Sequence, residues 1–353
     1  MHKGFIGRPS HFKTVIGLLI CALSASCGDA ATTAPSVVVE PNGTPAAYPP
    51  PTVAPRGANS YPEQATVAPA DPTPDLAMNA PALNGQVAFY AGGEGANQIF
   101  VVDLRTGLQR QLTTVGDNVE PSWSHDGRFI AYACRDGQYY SICVMNADGS
   151  DSRRIVAGPY NCWDPSWSPS DQEIVFTSNE TPFAHLYIAE IKSGETRRLV
   201  NSAGDEAGPS WSASNGRVVY ASQRLVNGAS AFNLFSIRSD GTEETQLTTF
   251  GNDDRPEVSP DGTHIVFQRE TVKASTFSGI EIVIMDLTAT TEKQLTNNNF
   301  PDEWPSFSPD GNWIVYSSRR GNGWQLLVVS VEGGPSAPLV QGGIVGSAPD
   351  WKP

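Results

Sequence analysis

The chain has 353 residues, with 23 Lys and Arg against 37 Asp and Glu, a formal charge of −14. So acidic a balance excludes a nucleic-acid binder working by phosphate neutralisation, and equally a protein held to anionic lipid by its own surface charge. No segment after the amino-terminal region is apolar enough to predict a membrane-spanning helix.

Residues 1–26 have the grammar of an export signal. Lys3, Arg8 and Lys13 form a basic start without an acid, and Thr14 to Ala25 is apolar but too short to cross a bilayer. Cleavage there removes three basic residues and no acid, which takes the charge from −14 to −17. Leu23-Ser24-Ala25-Ser26-Cys27-Gly28 resembles a bacterial lipobox, although Leu stands four places before the cysteine instead of three. The resemblance implies lipidation of Cys27 and a membrane-anchored protein on the cell surface or in the periplasm; release by ordinary signal peptidase is the alternative. Residues 27–84 carry twelve prolines among Ala, Thr and Val, with Thr52-Val53-Ala54-Pro55 repeated at Thr66-Val67-Ala68-Pro69. This composition predicts a disordered spacer in polyproline-like segments, at about 3.1 Å per residue.

Residues 85–353 are periodic. Pro121-Ser122-Trp123-Ser124-His125-Asp126-Gly127 returns as Pro165-Ser166-Trp167-Ser168-Pro169, Pro209-Ser210-Trp211-Ser212, Pro256-Glu257-Val258-Ser259-Pro260-Asp261-Gly262 and Pro305-Ser306-Phe307-Ser308-Pro309-Asp310-Gly311, and the chain ends on Pro349-Asp350-Trp351. Successive prolines stand 44, 44, 47, 49 and 44 residues apart. That period, built from short strands, marks a propeller. After each turn runs a β-branched and aromatic strand such as Phe129-Ile130-Ala131-Tyr132 or Trp313-Ile314-Val315-Tyr316, then a third such as Ile282-Val283-Ile284-Met285, then a fourth such as Thr245-Gln246-Leu247-Thr248. The first unit begins at its second strand, Val87-Ala88-Phe89-Tyr90, and the last strand has no unit after it. The two ends therefore complete one blade together. The expected fold is all-β: a six-bladed propeller of four-stranded antiparallel blades, closed by the amino- and carboxy-terminal strands, which removes exposed sheet edges.

These Pro-x-Trp-Ser-Pro-Asp-Gly repeats resemble the carboxy-terminal propeller of the TolB family, over about three quarters of the chain. The resemblance implies an extracytoplasmic protein-binding role. Where TolB has an α/β domain before its propeller, this chain has the proline-rich spacer, which puts a TolB-like partnership with the Pal lipoprotein in question.

Catalytic motifs are missing: no Gly-x-Ser-x-Gly elbow, Walker loop or His-Glu-x-x-His pattern occurs. His125, His185 and His264 lack metal-type spacing and read as ordinary surface histidines. Trp123, Trp167, Trp211 and Trp351 read as core anchors. Beyond Cys27, Cys134, Cys143 and Cys162 allow three pairings, with Cys134–Cys143 favoured across a hairpin and Cys134–Cys162 second.

The long hairpins, Ser222 to Ala231 and Arg269 to Ser278, share one propeller face with the links between blades. Asp117, Glu120, Asp164, Asp205, Glu206, Asp253, Asp254, Asp302 and Glu303 stand just before the inner strands, and are expected on that same face. The functional expectation is a monomeric, non-catalytic binding or scaffold protein presenting this acidic face to a protein, peptide or glycan. No cofactor is expected, with Ca²⁺ the one ion the acids suggest. The alternatives are a carbohydrate-active enzyme of the oligogalacturonate-lyase kind and a structural component of the envelope.

Overall fold

The computed structural model describes residues 82–353 apart from 227–228, 250, 274–276, 289 and 322. The export signal, Cys27 and nearly all of the spacer lie outside the described residues.

Twenty-four strands form six four-stranded antiparallel sheets. Blade 1 joins β24 (Ser347–Trp351) to β1 (Gln86–Ala91), β2 (Gln98–Asp103) and β3 (Gln109–Gln111). Blade 2 is β4 (Asp117–Trp123) to β7 (Arg153–Val156), with β5 (Phe129–Arg135) and β6 (Ser141–Asn146) between. Blade 3 runs from β8 (Cys162–Trp167) through β9 (Glu173–Ser178) and β10 (His185–Glu190) to β11 (Thr196–Arg198). Blade 4 comprises β12 (Glu206–Trp211), β13 (Arg217–Val226), β14 (Ala229–Arg238) and β15 (Thr245–Gln246). In blade 5 the order is β16 (Asp253–Val258), β17 (His264–Lys273), β18 (Phe277–Asp286) and β19 (Glu292–Gln294). Blade 6 contains β20 (Asp302–Phe307), β21 (Trp313–Arg320), β22 (Gly323–Ser330) and β23 (Ala337–Pro338). The ring closes as the phase of the two ends predicts: Trp351 pairs with Val87 and Asp350 with Ala88.

The core lies between blades, where the apolar faces of adjacent sheets meet. Val175, Leu186 and Ile188 of blade 3 pack on Trp211, Tyr220 and Phe235 of blade 4. Closure has the same construction, with Val315, Leu326 and Val328 of blade 6 against Val87, Phe89 and Trp351 of blade 1. The residue two after each inner-strand proline fills an interface: Trp123, Trp167, Trp211, Val258, Phe307 and Trp351 are all buried. This is the anchoring role expected of the recurrent tryptophans.

The Ser-x-Asp-Gly turns are small hydrogen-bonded units. Ser124 donates to Asp126 at 2.8 Å and accepts from the Phe129 amide at 2.9 Å, while Asp126 accepts from the Arg128 amide at 2.9 Å. Ser259 with Asp261, and Ser308 with Asp310, repeat the pattern. The motif is therefore consumed by the turn that starts each second strand.

Candidate functional site

Each inner strand bends at one place. The residue before the proline is left-handed in all six blades: Glu120 (φ 56°), Asp164 (53°), Gly208 (55°), Arg255 (51°), Trp304 (59°) and Ala348 (46°). Strand pairing shifts register there in every blade, so this is a six-fold bulge. Only glycine adopts that conformation without cost, and five of the six positions hold something else. The side chains of this bulge ring form the floor of a cavity on the propeller axis.

The cavity has a volume of about 320 Å³ and extends from the bulge ring past the Pro and Trp layers to His125, Ala213, Pro260, Pro309 and Pro353. His125, Pro260 and Pro309 belong to the Asp-Gly turns, Ala213 to the equivalent Asn-Gly turn of blade 4, and Pro353 follows the inner strand of blade 1 at the same end. The opening is therefore on the turn face, opposite the long hairpins.

At the floor, Arg255 is the central charge. Its guanidinium lies 2.6 Å from Asp164 and 3.6 Å from Glu120, and stacks 3.1 Å from the ring centre of Trp304. Main-chain amides tie the ring together: Asp164 N–H donates to Glu120 at 2.8 Å, and Gly208 N–H to Asp164 at 3.1 Å. Burial pushes the Glu120 carboxyl up to about 8; neighbouring Asp164 adds to this and Arg255 opposes it.

One layer above, the residue after each proline forms a second ring: Ser122, Ser166, Ser210, Glu257, Ser306 and Asp350. Five of these side chains reach the next blade. Ser166 accepts from the Trp211 amide at 2.9 Å and Ser210 from Val258 at 3.3 Å. Glu257 accepts from Phe307 at 2.8 Å, Ser306 from Trp351 at 3.2 Å and Asp350 from Trp123 at 2.5 Å. Where the repeat has Ser, blades 5 and 1 have carboxyls. Burial, then repulsion from Asp350, raises Glu257 well above the usual carboxylate range. Burial likewise takes Asp350 up to about 7, against the Trp123 amide and the Ser306 hydroxyl.

The nine acids expected on one face separate by strand position. Asp117 and Asp205 clip blades together, accepting the amides of Asn97 at 2.9 Å and Ala184 at 2.8 Å. Asn161 and Asn252 do the same for Tyr140 and Phe232. One residue later, the acids are buried with partners: Glu206 with His185 at 2.5 Å and with Ser202, Asp253 with Arg269 at 2.6 Å, Asp302 with Ser318 at 2.6 Å and Asn298 at 2.7 Å. Asp254 accepts the Arg255 amide at 2.8 Å. Glu303 is buried with Oε1 lacking a hydrogen-bond partner, and burial takes it up to about 7 despite nearby Arg255. Of the nine, Glu120 and Asp164 line the cavity. Among the described residues, no three His, Cys, Asp or Glu side chains come together as they would around a metal ion.

His185, expected at the surface, is buried: it heads β10 facing Glu206. His125 lies at the cavity rim, its ring 3.4 Å from Asp171. Cys134 and Cys143 form a disulfide, with Cα atoms 5.9 Å apart. They are diagonal neighbours, since Cys134 pairs with Ser141 and Cys143 with Tyr132. Cys162 is free and buried, its thiol pushed up to about 12 by that burial. Sequence reasoning missed Arg255, Trp304, Glu257 and Asp350. For the last two a signal existed, an acid in the serine slot of two repeats.

The sequence profile of the TolB beta propeller domain matches residues 153–353. The Tol-Pal system protein TolB of Hydrogenovibrio crunogenus is 35% identical over 99 residues, 28% of this chain and 21% of that protein. The chain thus spans about a fifth of that relative's length. Among solved structures, TolB from Acinetobacter baumannii superposes with a TM-score of 0.64 at 21% identity, covering 76% of this chain and 67% of that one. An oligogalacturonate lyase in complex with manganese gives a TM-score of 0.51 at 16% identity, over 71% of this chain and 73% of that one. At those identities the superpositions speak for the fold alone. With the profile spanning more than half its length and the six blades in place, the chain belongs to the TolB beta propeller domain family.

Proposed function

We propose that this chain is a non-catalytic binding protein of the cell envelope, tethered through Cys27, that recognises a protein, peptide or glycan at the turn-face mouth of its channel. The observation that carries the reading is the use already made of the channel's reactive groups. The hydroxyls of Ser166, Ser210 and Ser306 accept amide hydrogens from the next blade, and the rim histidine faces Asp171 instead of a nucleophile. What remains is a preformed concave site with apolar walls and a few polar groups, the usual character of a binding pocket. The curated relatives are named as Tol-Pal system proteins, which supports an envelope location and a partner that is itself a protein. The metal-dependent lyase alternative has no ligand set among the described residues to support it.

The test is capture from envelope extract by the full-length protein and by Ala213→Trp, which closes the mouth from an exposed rim position. Wild type retains a partner that Ala213→Trp loses, and Cys27→Ser moves the protein to the soluble fraction. Equal capture by both proteins, or turnover of oligogalacturonate, overturns the reading.

A further inference from the structure

The cavity has an uneven chemistry. Its floor charge is internally matched, Arg255 lying against Asp164 and Glu120. Its middle layer is not. Glu257 and Asp350 flank Ser306 around that layer, and they are held there by the Phe307 and Trp123 amides and the Ser306 hydroxyl. No cation stands at their level among the residues lining the cavity. Aromatic rings surround them, and such rings favour an organic cation over a hydrated metal ion.

A second observation is independent of the acids. Four tryptophans occupy the slot two residues after the proline. The indole N–H of Trp167 donates to the Ser122 carbonyl at 3.0 Å, that of Trp211 to Gly216 at 3.1 Å and that of Trp351 to Asn84 at 3.3 Å. Trp123, on the cavity wall and 3% exposed, has no acceptor for its own. A buried donor left unsatisfied costs on the order of 1–3 kcal/mol; this N–H is shielded, so a ligand supplying the acceptor recovers that cost by turning the indole toward the cavity. Its turn is also the odd one, since Lys352 lies over the Trp123 ring with its Nζ 4.9 Å from the ring centre.

We propose that the cavity binds a ligand carrying an ammonium or guanidinium group, which seats between Glu257 and Asp350, together with a carbonyl or hydroxyl oxygen that accepts from Trp123. This deepens the proposed binding function and rests on it. The chemistry is that of a basic amino acid, free or within a peptide threaded from the turn face. Binding is coupled to protons: a cation favours the ionised carboxyls, so Asp350, held up to about 7, releases a proton when the ligand enters at neutral pH. The other charged groups facing the cavity are Glu120, Asp164 and Arg255 on the floor and His125 at the rim.

The experiment is calorimetry on the mature protein in detergent at pH 7, with three probes. These are free arginine, a capped Gly-Arg-Gly peptide, and the same peptide with citrulline, which keeps the shape and removes the charge. Arginine in at least one form binds, and citrulline binds at least tenfold more weakly. The heat varies with the ionisation enthalpy of the buffer, as proton release requires. Binding of the free amino acid alone assigns a small-molecule ligand, and binding of the peptide alone assigns a protein partner. Glu257→Gln and Asp350→Asn, which keep an oxygen for the Phe307 and Trp123 amides, each weaken binding at least tenfold without lowering the melting temperature. Trp123→Phe weakens it severalfold. If either carboxamide variant does not fold, the pH dependence of the wild type replaces it: affinity for arginine falls between pH 7 and pH 5, and a flat profile overturns the site. Equal affinity for citrulline, or no binding of any probe by a protein that still captures an envelope partner, overturns the cation site while leaving the binding function standing.

Discussion

The guanidinium of Arg255 on β16 lies 2.6 Å from the carboxylate of Asp164 on β8, two blades away around the ring. The contact spans the propeller axis and brings together residues 91 positions apart in sequence. An inner-strand arginine thereby neutralises carboxylates that the fold has moved away from solvent.

Replacing that arginine exposes what it compensates. Arg255→Ala leaves Asp164 enclosed without its counter-charge and removes the charge that opposes the upward shift of Glu120, and the expected loss is about 3–5 kcal/mol, the usual result of removing one partner of a buried pair. Adding Asp164→Asn and Glu120→Gln to Arg255→Met recovers most of it. Urea unfolding of the three proteins is the check; an Arg255→Ala midpoint equal to wild type contradicts the compensation.

Stability depends on pH with an acid optimum. Burial raises Glu120 to about 8, Asp350 to about 7, Glu303 to about 7 and Asp302 to about 6. Each therefore holds a proton in the folded state that the unfolded chain releases near pH 4. Protons bound more tightly when folded mean stability that declines as pH rises from about 4 through those folded values. On the acid side, Asp261 and Asp310 are lowered by the Ser259 and Ser308 hydroxyls, and their contribution disappears as pH falls below their usual range. The melting temperature should peak near pH 4 and drop toward pH 8, reflecting a stability loss on the order of several kcal/mol. Thermal melts across pH 3–9 test this, and Glu257→Gln with Asp350→Asn should flatten the alkaline side.

Loss of the last strand opens the ring. Deleting residues 346–353 removes β24, leaves β1 with an unpaired edge and takes Trp351 out of the interface between blades 6 and 1. The aromatic alone accounts for about 3–5 kcal/mol. A truncated protein melting at the wild-type temperature contradicts closure by this strand.

The ring is legible in the sequence because its determinants are local and repeated. The Pro-Ser-Trp spacing gives the period, the alternating apolar strands give the blades, and the missing first strand of the first unit gives the closure. The acids mislead for a reason in the backbone. Asp253 and Asp302 read as connector residues, yet β16 and β20 begin at those residues. Side chains there already alternate between faces, and the left-handed residue before the proline interrupts the alternation a few positions later. Neighbouring acids such as Asp302 and Glu303 thus acquire different surroundings. Arg255 is invisible for a similar reason: no local pattern reports that one blade's arginine meets carboxylates of two others. The asymmetry between Ser306 and its acidic neighbours in the ring, by contrast, is written in the repeat and needs only the six copies laid side by side.

The bulge ring separates shape from chemistry. Its six residues fall where strand pairing shifts, just before a proline that has no amide hydrogen to give, and only the Glu120 and Asp164 side chains among them accept an amide of the next blade. A molecule so built can change the lettering on its innermost ring while leaving the rotor intact, provided that charge is exchanged in balanced sets. Six positions at one depth, each pointing to the axis from a different direction, amount to a short alphabet for writing new ligand preferences onto an unchanged wheel.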